Sequence, residues 1–357
     1  MSDRSSSHRR YNPLLDEWVL CSPGRLNRPW QGHRDVAPLE PSPPYDPDCY
    51  LCPGNLRASG ERNPAYPATL AFNNDFPALT AAFGTEGRGP AAEFDPDVLL
   101  RSRPETGICR VLCFSPRHDL TLAKMDAAGL RAVVDCWADE VASLRARPGI
   151  RHVQVFENKG KVMGCSNPHP HGQIWATENI PSGAARRQAA QIRYFEAHGR
   201  DLLGDYLARE LRENERMVLR NDHWLVLVPF WAVWPFETMV LPIRFVSDPG
   251  GLTSGERDSL ADVLGRLNRR YDHLFGCSFP YSMGLHVQPA DNEDRPYWRL
   301  HAAFLPPLLR SATVRKFVVG YELSAEPQRD FLPEEAAERL RAMPETSEGS
   351  ADSVGRG

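Results

Sequence analysis

A pattern of strand, turn, helix and two further strands occurs twice in this chain of 357 residues. In the first half, a strand that begins at Arg110 precedes a helix with Asp126 as its N-cap and one apolar stripe. In the second half, Thr253-Ser-Gly-Glu256 has the form of a capping box and predicts a helix that runs to about Tyr271. The repetition indicates an internal duplication. We therefore predict an α+β fold of two related half-barrel units, built on a mostly antiparallel sheet with flanking helices.

Two folded units are predicted between two tails. Residues 1–9 and 344–357 are polar and rich in Ser and Gly, so we expect both segments to be disordered. Residues 10–181 form the predicted N-terminal unit, and residues 182–343 form the predicted C-terminal unit. The start of the second unit is charged and helical, which suits a connection between the two halves.

Composition limits the compartment and the partners. The formal net charge is −4 and no basic stripe stands out, which argues against nucleic acid as a partner. No apolar run is long enough to span a bilayer, and the N-terminus lacks the apolar region of a signal peptide, so we expect a cytoplasmic protein without a membrane partner. The eight cysteines could pair in a secreted chain, but in the cytoplasm they predict reduced thiols and a metal site.

The chemistry of the sequence concentrates in residues 156–175, which include Gly164-Cys-Ser-Asn-Pro-His-Pro-His-Gly-Gln-Ile-Trp175. An apolar strand is followed by a glycine-rich loop, whose backbone N–H groups could face an anion. A second short strand is predicted to carry His169 and His171, and because side chains alternate along a strand, both should point the same way. This arrangement is typical of a nucleophile site beside a phosphate. The alternative is a surface turn without chemistry.

A Cys-x-x-Cys pair lies upstream at Cys49 and Cys52. Zinc needs four nitrogen or sulfur ligands, and His118 and His169 both lie at predicted strand ends in the same half of the chain. These four residues make a plausible Cys2His2 site, unless His118 is a solvated turn residue. With all four positions filled, the zinc would be structural and would fix the loop that presents His171.

His171 is then the predicted nucleophile, because neutral imidazole attacks phosphorus well near neutral pH. Gln173 lies two residues further on and should face the same side. Its amide can donate to a phosphoryl oxygen but cannot act as a general acid, so the leaving group must depart without receiving a proton. A sugar 1-phosphate meets that requirement. The residues therefore favour transfer of a nucleotidyl group with a phosphate leaving.

Longer matches extend along the chain, in residues 25–32, 49–52, 74–76, 156–160, 164–175, 279–284 and 308–317. With them the sequence resembles the galactose-1-phosphate uridylyltransferase family, a branch of the histidine-triad superfamily, across nearly its whole ordered length. In that family a histidine takes UMP from UDP-glucose, releases glucose 1-phosphate and passes UMP to galactose 1-phosphate. The resemblance implies duplicated histidine-triad-like units and the same ping-pong uridylyltransferase reaction in galactose metabolism, through a covalent uridylyl-histidine.

The resemblance also assigns roles to residues of this chain. His171 matches the nucleophile, and Gln173 and Ser166 match the residues that hold the transferred phosphoryl group. The zinc ligands are matched by Cys49, Cys52, His118 and His169. The residues that match the uridine and ribose pocket are Phe72, Asn74, Asp75 and Asn158. The residues that match the hexose-phosphate pocket are Lys316, Phe317, Val319, Tyr321, Glu322 and Gln328. In the family, this last group and the segment with Arg25 and Arg28 reach into the neighbouring subunit's site, which implies a homodimer.

One departure from the family concerns a second metal, often iron, that some members bind through a Glu and three His. His286 and His301 match two of those positions, but Arg187 stands at the Glu position and Ala303 at that of the third His. A cation and a methyl group cannot replace a carboxylate and an imidazole. We therefore expect no metal at that site.

Two rival functions remain open on sequence alone. A related nucleotidyltransferase or phosphorylase could use ADP-glucose or a dinucleoside polyphosphate, and the positions of Ala58 and Phe72 relative to the base would separate these from a uridylyltransferase. A non-catalytic, zinc-stabilised nucleotide sensor would keep the pocket, but it has no need for His171, Gln173 and Lys316 together.

Overall fold

The computed structural model describes residues 6–27, 42–79, 99–100, 104–290, 293 and 295–346. The strands in these ranges are β1 His8–Asn12, β2 Glu17–Cys21, β3 Leu70–Asn73, β4 Gly107–Cys113, β5 His152–Lys159, β6 His171–Thr177, β7 Met217–Arg220, β8 Trp224–Leu227, β9 Thr238–Pro242, β10 Tyr281–His286, β11 His301–Leu305, β12 Leu308–Ser311, β13 Val314–Arg315 and β14 Gln328–Arg329. The helices are α1 Ala127–Arg145, α2 Ser182–His198, α3 Leu202–Glu213, α4 Ser254–Phe275, α5 Tyr321–Ser324 and α6 Pro333–Arg341. Within these ranges, no helix combines the length and the apolar character needed to cross a membrane.

One large sheet organises the chain. Its nine strands lie in the order β3-β4-β6-β5-β10-β11-β9-β8-β7, and every neighbouring pair is antiparallel. A smaller sheet contains β1, β2 and β14, where β14 runs parallel to β2. The predicted α+β class with a mostly antiparallel sheet is confirmed.

The duplication is visible in the order of the strands. The succession β4-α1-β5-β6 is repeated as β9-α4-β10-β11. In the sheet the first set lies as β4-β6-β5 and the second as β10-β11-β9, so the two sets are arranged as reversed copies. They join through β5 and β10, where Phe156 lies opposite Gly284. The division of the chain at residues 181 and 182 stays a prediction.

Both predicted helix starts have the expected caps. The Asp126 side chain accepts a hydrogen bond from the backbone N–H of Gly129 at 2.8 Å, and α1 follows. The Thr253 hydroxyl accepts from the N–H of Glu256, whose carboxylate accepts in return from the N–H of Thr253. These bonds satisfy donors that the first turn of a helix leaves free. Helix α4 ends at Phe275, one turn beyond the end predicted near Tyr271.

Helices α1 and α4 cover one face of the large sheet. Side chains of α1 such as Trp137 and of α4 such as Leu264 share one buried cluster with Leu112 of β4 and Ile174 of β6. Strand alternation sends the neighbouring residues to the opposite face, where Cys113 packs in a separate cluster. On that second face, α3 packs against β8 and β9. The middle of the second face holds the half-buried side chains of β5, β6 and β10, and the candidate site lies there.

Candidate functional site

Four buried side chains converge at one end of the sheet. One ligand atom from each of Cys49, Cys52, His118 and His169 lies within 4.8 Å of all the others. The Cys52 sulfur is 3.6 Å from Nδ1 of His118 and 3.5 Å from Nδ1 of His169. The structure therefore brings together all four residues predicted as metal ligands, and the alternative of a solvated His118 is wrong because that side chain is buried.

Outer contacts hold two of these residues in the orientation that a ligand needs. Nε2 of His169 lies 2.9 Å from the carbonyl oxygen of Ser115, so it donates its proton there and leaves the Nδ1 lone pair free. The Tyr66 hydroxyl lies 3.1 Å from the same Nε2. The amide of Asn167 reaches the Cys49 sulfur at 3.4 Å, and the backbone N–H of Leu51 donates to that sulfur at 3.4 Å.

The donor set fits a metal cation. Burial raises the pKa of the Cys52 thiol to about 11 and lowers the pKa of His169 to about 4. The imidazole is therefore neutral and able to ligate, whereas the thiol needs a bound cation to become a thiolate. Two sulfurs and two ring nitrogens in a buried cluster could hold a metal ion, and they come from the knuckle of residues 49–52, from the segment between β4 and α1 and from the bend before β6.

His171 begins β6 beside this cluster. Its Nδ1 lies 2.8 Å from the backbone carbonyl oxygen of His169. Because a carbonyl only accepts, Nδ1 carries the proton and Nε2 keeps its lone pair. Burial lowers the pKa of His171 below its ordinary value, although its hydrogen bond to the carbonyl works in the opposite direction. The ring is therefore a neutral imidazole with a fixed tautomer, which is the form a nucleophile requires.

The prediction that His169 and His171 share one strand is wrong. Strand β6 begins at His171, and His169 lies in a bend before it. The bend is fixed by Asn167, whose side-chain oxygen accepts from the backbone N–H of His169 at 2.9 Å. The two imidazoles therefore lie in different places. His169 belongs to the group of four candidate metal ligands, and His171 lines the neighbouring pocket.

A small polar pocket surrounds His171, lined by Phe156, Asn158, Gly164, Cys165, Ser166, His171, Gly172 and Gln173. The loop side of the pocket depends on Gly160 and Gly164, whose φ angles are 91° and 79°. Between the two polar residues of β6, a Cβ on Gly172 would lie 2.8 Å from the Phe114 ring and 3.0 Å from the Phe156 carbonyl oxygen. Only glycine fits there, and it keeps the strand close to the ring beneath.

The amide of Gln173 is oriented by the next residue on the same face of β6. The indole Nε1 of Trp175 donates to the Gln173 side-chain oxygen at 3.2 Å. Since an indole N–H is only a donor, it must meet the amide oxygen, and the amide NH2 group remains free to donate in the pocket. The indole is itself held edge-on to Phe156, with ring centroids 5.6 Å apart.

The residues predicted for the nucleoside lie on both sides of β6, with Asn158 on β5 and the other three on or just after β3, beyond β4. Asn158 lines the pocket and accepts from the Ser282 hydroxyl at 2.6 Å. Phe72 lies on β3, opposite Val111 of β4, which in turn lies opposite Gln173 of β6. Two strand spacings, about 10 Å, therefore separate Phe72 from Gln173.

The turn after β3 carries two further residues predicted for the nucleoside. Asn74 accepts a hydrogen bond from the N–H of Phe76, and Asp75 accepts one from the N–H of Ser59.

The residues predicted for the hexose phosphate form a separate group. Nζ of Lys316 lies 2.5 Å from a Glu322 carboxylate oxygen and 3.0 Å from the carbonyl oxygen of Gln328. Arg25 approaches this group through Asp330, at 3.6 Å. None of these residues is among the described residues that line the His171 pocket, which all come from residues 156–173. Phe317, Val319 and Tyr321 are exposed beside it, and Arg28 lies outside the described residues.

At the equivalent place in the second unit, His301 begins β11 as His171 begins β6. Nδ1 of His301 also donates to a carbonyl two residues upstream, that of Arg299, at 3.0 Å. Unlike His171, however, His301 is buried, and its ring stacks on His286 with centroids 4.6 Å apart. Arg187 is half-buried on α2 and donates to the carbonyl oxygen of Gly183 at 3.2 Å.

Sequence reasoning gave no role to Trp175, Tyr66 or Asn167, which support the site. For Trp175 a signal was present, because it lies two residues after Gln173 and so shares its face of the strand. Tyr66 and Asn167 contact the candidate metal ligands His169 and Cys49 from loops, and no spacing in the sequence predicts such contacts.

Known proteins are similar in sequence to this chain over almost its whole length. Residues 1–181 match the N-terminal domain of galactose-1-phosphate uridyl transferase, and residues 187–351 match its C-terminal domain. The galactose-1-phosphate uridylyltransferase of Haemophilus influenzae is 50% identical over 338 residues, which cover 95% of each chain. The protein of the same name from Rattus norvegicus is 50% identical over 347 residues, covering 96% of this chain and 89% of that protein.

Solved structures with a similar fold also cover most of this chain. The structure of a uridylyltransferase has a TM-score of 0.72 at 25% identity and covers 94% of this chain and 98% of its own. An ADP-glucose phosphorylase from Arabidopsis thaliana, with bound ADP-glucose, has a TM-score of 0.75 at 21% identity, covering 95% and 100%, and so shares the fold. On the two domain matches and the identity to the curated relatives, the chain belongs to the galactose-1-phosphate uridylyltransferase family.

Proposed function

We propose that this enzyme transfers UMP from UDP-glucose to galactose 1-phosphate, through a covalent intermediate on His171. The observation that carries the proposal is the fixed tautomer of His171, whose Nδ1–H is bound to the His169 carbonyl while Nε2 keeps its lone pair beside the Ser166 loop. Membership of the family supports the choice of substrates.

In the first half-reaction, Nε2 of His171 attacks the α-phosphorus of UDP-glucose. A phosphorus–nitrogen bond forms, the bond between that phosphorus and the bridging oxygen breaks, and glucose 1-phosphate leaves with the electron pair. No proton has to be supplied, because a phosphate is a stable leaving anion. In the second half-reaction, a phosphate oxygen of galactose 1-phosphate attacks the same phosphorus, UDP-galactose leaves and the neutral imidazole is restored.

Gln173 and Ser166 would bind the phosphoryl group as it passes through the transition state. The amide NH2 of Gln173 is left free by the Trp175 bond and can donate to a non-bridging oxygen. Ser166 lies on the loop that lines the other side of the pocket. A neutral donor suits this step, since it stabilises charge on the oxygens without protonating the leaving group.

We propose zinc at the Cys49, Cys52, His118 and His169 cluster. Tetrahedral zinc with bonds of about 2.3 Å to sulfur and about 2.0–2.1 Å to nitrogen sets sulfur and nitrogen about 3.5 Å apart. The observed separations of 3.5 and 3.6 Å from the Cys52 sulfur match that value. With four protein ligands the ion would have no open position, so it would stabilise the bend that presents His171 and would not contact substrate.

We further propose that two subunits share each site, in a cytoplasmic homodimer. Phe72, Asn74, Asp75 and Asn158 would bind the nucleoside beside His171 of their own chain. Lys316, Phe317, Val319, Tyr321, Glu322 and Gln328, with Arg25 and Arg28, would bind the hexose phosphate at the neighbouring subunit's His171. The absence of the Lys316 group from the described lining of the His171 pocket supports this sharing, and the eight free cysteines support a reducing compartment.

The decisive experiment is incubation with UDP-glucose labelled in the α-phosphate. We expect label to remain on the protein after denaturation, labile to acid and stable to base, with one glucose 1-phosphate released per label. A parallel incubation with α-labelled ADP-glucose separates this function from that of a related phosphorylase, because a uridylyltransferase should take little label from it.

His171→Ala is the matched control. It removes only the nucleophile, so label and turnover should be lost while the melting temperature stays within about 2 °C of the wild type. If the variant still exchanges UMP at a normal rate, another residue attacks and the proposed mechanism is wrong.

A further inference from the structure

Arg57 lies on the hairpin that follows the metal-binding knuckle, five residues after Cys52. Backbone bonds close this hairpin, from the N–H of Arg57 to Glu61 at 2.8 Å and from the N–H of Gly60 back to Arg57 at 3.0 Å. The Arg57 side chain is only 8% exposed, which is unusual for a residue on an otherwise exposed turn. Its charge is therefore held in a fixed place.

The guanidinium covers one face of the Phe72 ring, with its central carbon 4.2 Å from the ring centroid. One guanidinium nitrogen of Arg57 lies 3.6 Å from a carboxylate oxygen of Asp75. Another forms an ion pair with Glu61 on the same hairpin. The other oxygen of Asp75 accepts from the N–H of Ser59 at 3.3 Å. A single side chain thus fixes both an aromatic ring and a carboxylate.

Both fixed groups belong to the set of residues predicted to bind the nucleoside. Phe72 lies in the cross-strand row that runs through Val111 to Gln173, and Asp75 lies in the bend that follows β3. Phe72 also packs against the buried cluster that contains Leu51 and Val111, but it stays partly exposed, so part of its ring can contact a base. A carboxylate has about four acceptor positions, so Asp75 keeps capacity for a ribose hydroxyl.

We propose that Arg57 is a positioning residue for the nucleoside of the donor substrate, acting through Phe72 and Asp75. This inference rests on the proposed function. Arg57 does not contact the reacting phosphorus, and it sets the ring plane and the carboxylate against which the base and ribose bind. Because a planar guanidinium stacks and pairs at once, a lysine of equal charge cannot replace it.

The test is Arg57→Lys, assayed by single-turnover labelling with α-labelled UDP-glucose. We expect the half-saturating concentration to rise roughly tenfold and the rate at saturation to stay within about twofold, since the chemistry at His171 is untouched. Zinc content and melting temperature should match the wild type. Arg62→Lys is the matched control, because Arg62 is exposed on the same hairpin and donates to the Gly54 carbonyl.

A double-mutant cycle with Asp75→Asn tests the route of the effect. If Arg57 acts partly through Asp75, the double variant should raise the half-saturating concentration by less than the product of the two single increases. An increase equal to that product would remove Asp75 from the proposal.

Two results would overturn the role of Arg57. One is an unchanged half-saturating concentration in Arg57→Lys. The other is a joint fall in zinc content, melting temperature and saturated rate, which would mean that the residue only supports the fold. In both cases the wild type still takes label and the proposed function stands, whereas failure of the wild type to take label would refute the proposed function itself.

Discussion

The Nδ1 atom of His171 lies 2.8 Å from the backbone carbonyl oxygen of His169. One of these residues belongs to the metal cluster and the other to the pocket, so a single backbone group connects the two centres. The bond fixes the tautomer of His171, while the cluster fixes the peptide that accepts the bond. Loss of the metal should therefore affect catalysis without any contact between metal and substrate.

Removing a metal ligand should destabilise the protein before it damages the chemistry. For Cys49→Ser or His118→Ala we expect a marked loss of zinc and a melting temperature lower by roughly 5–10 °C, because structural zinc is coupled to folding. Metal analysis and thermal unfolding measure both effects. His198→Ala, at the exposed end of α2, is a control that should retain its metal. Full stability in a metal-free variant would rule out a structural metal.

Loss of the indole donor should slow the transfer step. Trp175→Phe removes the bond to the Gln173 oxygen but keeps an aromatic ring against Phe156. The freed amide can rotate, so we expect the saturated labelling rate to fall roughly tenfold with little change in the half-saturating concentration. Trp18→Phe, on the exposed face of β2, should leave the rate unchanged. A normal rate in Trp175→Phe would mean that the indole does not orient the amide.

Sharing of sites between subunits predicts complementation of two inactive variants. His171→Ala and Lys316→Ala should each be inactive alone. Co-expressed with different tags and purified as a heterodimer, they should give about half the wild-type activity, because one of the two sites then has both residues intact. Heterodimers of the two variants that remain inactive would place His171 and Lys316 in the same chain's site.

The second family metal should be missing and recoverable. Metal analysis of the wild type should find about one equivalent of zinc per chain and no stoichiometric iron, since Arg187 and Ala303 offer no ligand for a cation. The double substitution Arg187→Glu with Ala303→His restores four ligands and should gain a second equivalent. Each single substitution should not. Two tightly bound metals in the wild type would mean that Arg187 does not stand at the ligand position.

Local sequence predicted the elements better than it predicted their side-chain contacts. The caps at Asp126 and Thr253 located two helices because capping bonds span three residues, and the sequence contains both partners. The shared strand of His169 and His171 was wrong because the Asn167 bond, a loop contact, ends the alternation before His171.

The contacts between distant segments were outside the reach of local reasoning. The four candidate metal ligands were predicted from the Cys-x-x-Cys pair, the chemistry of zinc and the resemblance to the family, because Cys49 and His169 are far apart in sequence and meet only in the fold. The stacking of Arg57 on Phe72 has no such motif, because it depends on how a hairpin packs against the edge of a sheet.

His171 and His301 occupy equivalent positions in the two units and hold their rings by the same kind of hydrogen bond. Both imidazoles hold their Nδ1 proton on a carbonyl two residues upstream, but His171 lines a pocket whereas His301 is buried among the described residues. A duplicated backbone can therefore present an imidazole to a pocket in one unit and enclose the corresponding imidazole in the other, so burial decides which of the two rings can meet a ligand.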